Sequence, residues 1–159
     1  MRPTSSVTAL TFIAAVAGLA PIGAWAAPLD AKTIQIVAKT FDFLSKKPAP
    51  GSKVLVVAGA ADPAAVQTAL AKMAVSAGKP SEATGAFAII VNSAEEAKAA
   101  HDANANIFTI GPDVGCVTAG SCLMAVETQP KVTIYVSRAV AQASGIEFDP
   151  NFKMLITEK

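Results

Sequence analysis

Cys116 and Cys122 have the widest chemistry open to them in this chain, and they are its two cysteines. Both lie in the segment GCVTAGSC, with five residues between them, alongside Gly115, Gly120 and Ser121. Thiols so close in a flexible segment can close a structural disulfide, act as a redox-sensitive switch or contribute to a metal site. The spacing is not Cys-x-x-Cys, so the thiol oxidoreductase motif is absent. A disulfide over so short a loop stabilises by about 2 kcal/mol on the chain-entropy account. A metal site would need further ligands, and the candidates are the single His101 with Met73, Met124 and Met154, scattered over separate segments. A copper site built from them has little support, and neither a metal nor a cofactor is expected. His101, beside Asp102 and Asn104 near a helix end, reads as a solvated side chain interacting favourably with the helix C-terminus.

Enzyme chemistry finds little else to work with. A thiol nucleophile needs a base and an oxyanion hole, and no pair of carboxylates stands at a telling spacing. The segment Gly59-Ala60-Ala61-Asp62 has one glycine where a dinucleotide site has several, and Asp62 would repel phosphate at that helix N-terminus. The chain is therefore expected to be non-enzymatic.

The elements that must position these residues begin after a leader. Arg2, an uncharged apolar stretch from Val7 to Ala20, a Pro-Gly break and Ala24-Trp25-Ala26 form a secretory signal peptide over residues 1–26. The apolar stretch falls short of the roughly 20 residues that a bilayer core demands, which disfavours a permanent anchor. Cleavage after Ala26 leaves residues 27–159, 133 of the 159, enough for a single domain with its own core. Loss of Arg2 from 13 basic residues leaves 12 against 12 acidic ones, so neither nucleic acid nor an anionic membrane surface is attracted. Export to the periplasm places the cysteines in an oxidising compartment.

From Asp30 to Lys47 the spacing of Ile34, Val37, Phe41 and Leu44 predicts a helix ended by Pro48, Pro50 and Gly51. Ile36 and Phe43 lie off that stripe, and offer either a broad core contact or a partner surface. KVLVVAG, Lys53 to Gly59, reads as a strand covered on both faces. Asp62-Pro63 opens a helix running to Gly78 with Val66, Leu70, Met73 and Ala77 inward. AFAIIVN, Ala86 to Asn92, is a second buried strand, and Ser93 with Glu96 caps the helix that ends near Ala103. Ile107 to Ile110 is a third strand, followed by the Gly-rich cysteine loop. Leu123–Thr128 and Lys131–Val136, separated by Gln129-Pro130, are too close for a crossover and must be antiparallel. Ser137 caps a short helix stopped by Gly145, and Asp149-Pro150 starts a final turn with Phe152, Leu155 and Ile156 inward.

The fold class is therefore α/β: a three-layer mixed sheet with a parallel βαβαβ core, then an antiparallel hairpin and short C-terminal helices. A small solute would bind such a fold in the crevice beyond the carboxyl ends of the parallel strands, and a periplasmic small-solute or metal-binding protein is the alternative reading. Here that edge holds Gly59, Asp62, Asn92, Ser93, Gly111 and Asp113.

The order of these features resembles the YfiR-like family of periplasmic regulators over nearly all of residues 27–159. The resemblance lies in IFTIGPDVG, in KVTIYVS, in an Ala-rich helix with Ala139 and Ala143, and in Gly145-Ile146 before a final segment from Asn151 to Ile156. The first helix, with Lys32, Phe41 and Phe43 before a proline, is similar too. The resemblance implies a protein that forms homodimers, has a disulfide state and represses a membrane-bound signalling protein, such as a diguanylate cyclase, from the periplasmic side. It departs from the family's pattern at Cys116, at Ala119-Gly120-Ser121-Cys122 and at Lys47-Pro48.

Overall fold

The apolar run Val54-Leu55-Val56 is buried on both faces and forms the centre of β1 (Lys53–Val56), as β-branched residues bounded by turns should. The computed structural model describes residues 26–159; residues 1–25 of the expected signal peptide, Trp25 included, lie outside the described residues. Asp30 caps α1 (Ala31–Thr40) by accepting from Thr33 N at 2.7 Å, and the chain continues through a 3-10 turn at Phe41–Phe43. After β1 come α2 (Pro63–Ala69) and β2 (Ala74–Ala77), then a 3-10 turn at Pro80–Glu82 and β3 (Ala88–Ile90). α3 (Ala94–Ala103), β4 (Phe108–Ile110) and α4 (Val114–Thr118) follow. The hairpin is β5 (Met124–Glu127) and β6 (Thr133–Val136), and the chain closes with α5 (Arg138–Ala143), α6 (Pro150–Lys153) and β7 (Ile156–Glu158).

The seven strands form one sheet in the order β2-β1-β3-β4-β5-β6-β7, parallel except at β5–β6, where Met124 faces Val136 and Glu127 faces Thr133. Successive residues of a strand point to opposite faces. Phe108 meets Phe41 at the end of α1, while its neighbour Thr109 meets His101 on α3. That pair alone places a helical layer on each side of the sheet, and the expected three-layer mixed sheet with its antiparallel hairpin is what the chain forms.

Several local expectations are corrected. The helix begun at Pro63 does not reach Gly78: Leu70 leaves helical geometry at φ −108°, ψ 51°, and Ala74–Ala77 becomes the edge strand β2 with Ala77 exposed. Gln67 holds this reversal, donating to the carbonyls of Leu70 and Met73 and accepting from Val75 N at 3.1 Å. A run of alanines suits a helix by propensity, but pairing with β1 satisfies the same backbone groups. The first helix ends at Thr40 and its 3-10 extension, not at Lys47. The cysteine segment is partly helical, since Asp113 caps Val114–Thr118. The hairpin connection runs from Thr128 to Val132, longer than Gln129-Pro130. Of the final inward trio only Phe152 is buried; Leu155 is 69% exposed, and Ile156 opens β7 beside β6.

Six phenylalanines run as a chain through the core. Phe87, Phe41 and Phe108 pack mutually, Phe108 meets Phe148, Phe148 stacks on Phe152, and Phe152 stacks on Phe43 with ring centroids 5.0 Å apart. The chain ties α1 and the C-terminal segment to the middle of the sheet.

Candidate functional site

Three parts of the molecule hold the residues with chemical or recognition potential. The first is the cysteine joint. Cys116 on α4 and Cys122 are disulfide-bonded with Cα atoms 5.2 Å apart, and both are buried. Cys116 O accepts from the backbone N of both Ser121 and Cys122, each at 3.1 Å, so the intervening loop is pinned from within. Gly111, at the end of β4, is the close neighbour that this packing requires. A Cβ there would lie 3.1 Å from Cys116 Cβ and 3.0 Å from Cys122 Cβ, closer than carbon atoms pack. The role of Gly111 is to admit the disulfide beneath the strand end. The joint is a covalent anchor between α4 and the start of β5, and burial shields its sulfurs from solution thiols.

The second part is the carboxyl edge of the parallel strands. The strand order reverses between β1 and β3, the place where open α/β sheets receive ligands. Asn92 spans it: its Nδ2 donates to Ala58 O at 2.7 Å. Gly59 turns the chain at φ +81°, a conformation that favours glycine, with its missing Cβ position 3.7 Å from Asn92 Nδ2. Asp62 accepts from Ala64 N at 3.1 Å, Ser93 from Glu96 N at 3.2 Å and Asp113 from Cys116 N at 3.0 Å, so each caps the helix that follows it. Glu96 returns a bond to Asn92 N at 2.7 Å, one residue before the cap. Leu29 N donates to Ala60 O at 2.8 Å, which brings the segment before α1 against the β1 loop. All six residues of the expected edge are brought to one rim except Gly111, which lies against the disulfide; their polar side chains build the rim itself.

His101 is a correction of a different kind. It is half-buried rather than solvated, with Nε2 3.2 Å from Thr109 Oγ1. Thr109 is fully buried and its Oγ1 accepts from Leu123 N at 2.8 Å. Burial lowers the His101 pKa below 6.5, against smaller opposing effects of the Ala105 backbone and Asp102. The unfolded chain then binds a proton that the folded one resists, so stability falls as pH drops below the unfolded value of 6.5. Melting temperature is expected to decline from pH 7 to pH 5 more steeply than in His101→Gln, as thermal unfolding by circular dichroism across that range measures. Equal slopes would remove His101 from the account.

The third part was legible in the sequence only at Phe43. Among the described residues the large exposed apolar side chains are Phe43 (40%), Val132 (45%), Met154 (79%) and Leu155 (69%). Ile134 pairs with Ile156 in the parallel β6–β7 ladder, so Leu155 and Met154 run alongside Thr133 and Val132. Phe152, just before them, stacks on Phe43. All four therefore lie on segments that meet around α6 and the hairpin, linked by the Phe43–Phe152 stack and the β6–β7 ladder. Of the two residues expected as a partner surface, Phe43 belongs to this patch, whereas Ile36 is half-buried against the core. Of Val132, Ile134 and Val136, which alternate along this segment, only Val136 is fully buried.

Among the described residues no group of three or more His, Cys, Asp or Glu side chains converges as a metal ion would need, and no helix is long and apolar enough to cross a membrane. No protein-family model and no curated protein matches the chain.

Proposed function

We propose that this protein is a non-enzymatic, exported regulator that acts by binding another protein, repressing a membrane-bound signalling protein, such as a diguanylate cyclase, from the periplasmic side. The observation that carries this reading is the exposure of Phe43, Val132, Met154 and Leu155 on segments that meet around α6 and the hairpin. Exposed apolar side chains gathered in one patch mark recognition surfaces more often than scattered ones do. The patch sits on the shortest elements of the fold, while its ring Phe43 is backed through Phe152 and Phe148 by the core, a rigid mounting that suits an anchor residue.

Three further features support it. The disulfide and the leader fit an oxidising, extracytoplasmic setting. The strand-end crevice, the default place for a solute, is occupied by Asn92 and by three helix caps. The resemblance to YfiR-like regulators rests on the same C-terminal segments that build the patch. Homodimers would present the patch twice.

The test is binding of the oxidised chain to the isolated periplasmic domain of a membrane-bound diguanylate cyclase, by biolayer interferometry. Leu155→Asp should weaken binding at least tenfold with an unchanged melting temperature, because Leu155 is largely exposed. Equal binding by the variant, or no binding by oxidised and reduced wild type alike, overturns the reading.

A further inference from the structure

On the face of the sheet that carries α3, a groove of about 520 Å³ lies between α3 and α5 and is lined also by Gly120 and Ser121 of the disulfide loop. Its volume is within the range of small-ligand sites. Ala139, Val140 and Ala143 of α5 give it an apolar side, and Lys98 and Asp102 of α3 stand on its other side. His101 lies at the α3 wall, its Nε2 3.2 Å from Thr109 Oγ1.

Ser144 is the residue that asks for a ligand. It lines the groove, is only 4% exposed, and its Oγ is a buried hydroxyl with no hydrogen-bond partner among the described residues. An unsatisfied buried hydroxyl costs free energy, and folded proteins leave few of them. Ser121 brings a second hydroxyl, and its backbone is held in place by the bond from Ser121 N to Cys116 O. Lys98 brings an ammonium group. Three donors beside an apolar wall match an acceptor-rich head on a short hydrocarbon body. Asp102 on the same helix repels a second anionic group.

We infer that this groove is a binding site for a short aliphatic monocarboxylate, its head held by Lys98, Ser121 and Ser144 and its tail laid along Ala139, Val140 and Ala143. The site is separate from the apolar patch of the proposed regulator, and its occupancy can be measured with no partner present.

Titration calorimetry of the oxidised chain with hexanoate, and with adipate as the dicarboxylate of equal carbon number, tests it. Hexanoate should bind saturably with one site per chain, and adipate at least tenfold more weakly. Ser144→Ala removes a hydroxyl without leaving a partner unpaired, so it should fold with an equal or higher melting temperature while weakening hexanoate about tenfold. Lys98→Met, at an exposed position, should weaken it by a similar factor. Absence of saturable hexanoate binding, equal affinity for adipate, or an unchanged affinity in a folded Ser144→Ala protein overturns the assignment.

Discussion

Phe108→Ala is expected to cost about 3–5 kcal/mol of folding stability, the range for removing a fully buried phenylalanine ring. Phe108 has no exposed surface and contacts Phe41, Phe87 and Phe148, with ring centroids 5.1 to 6.2 Å away. Two of these contacts are edge-on, an arrangement that adds to the area term. Its removal opens a cavity where β4, the end of α1 and the C-terminal segment meet, and the sheet backbone cannot collapse to fill it. Single domains have total stabilities of about 5–15 kcal/mol, so this one change takes a large share. Urea unfolding followed by far-ultraviolet circular dichroism measures it as a fall in the midpoint. Val132→Ala, at a 45% exposed position, should move the midpoint little. A loss below about 1 kcal/mol for Phe108→Ala would mean that the aromatic chain is not the centre of the core.

Removing the disulfide with Cys116→Ala and Cys122→Ala together is expected to destabilise by about 2 kcal/mol, because six positions separate the cysteines and a short loop constrains the unfolded chain modestly. The bond is buried beside Gly111, so the oxidised protein should also resist reduction under native conditions and yield to dithiothreitol chiefly once unfolded. Thiol labelling and intact mass with and without denaturant measure both effects. Rapid native reduction would instead favour a redox switch at the joint.

The heart of the sheet was readable because it obeys local rules. Val54 to Val56 and Ala88 to Ile90 are short apolar runs, and a strand buried on both faces leaves no other place for them. Asp62, Ser93, Ser137 and Asp149 stand where side chains cap helices, and each does so. The pairing of Cys116 with Cys122 was among the outcomes that their spacing allowed, and the hairpin followed from a connection too short for a crossover. The outer strands were hidden for a physical reason. Ala74–Ala77 and Ile156–Glu158 carry no periodic pattern of their own, and they become strands by satisfying backbone groups of β1 and β6, residues distant in the chain.

Residue type and spacing alone thus determined an α/β class, a central parallel core, the helix starts and a cysteine joint. The tertiary structure decided how the joint and its surroundings are packed and hydrogen-bonded. It spent the polar side chains of the strand-end rim on the fold and set Gly111 against the disulfide. It turned His101 onto Thr109, left Ser144 unpaired beside a groove and exposed four apolar side chains on segments that meet around α6 and the hairpin. Caps and buried strands are local consequences of three- or four-residue patterns, whereas exposure and unmet hydrogen bonds depend on which distant segments arrive, and that is settled only when the sheet closes its order.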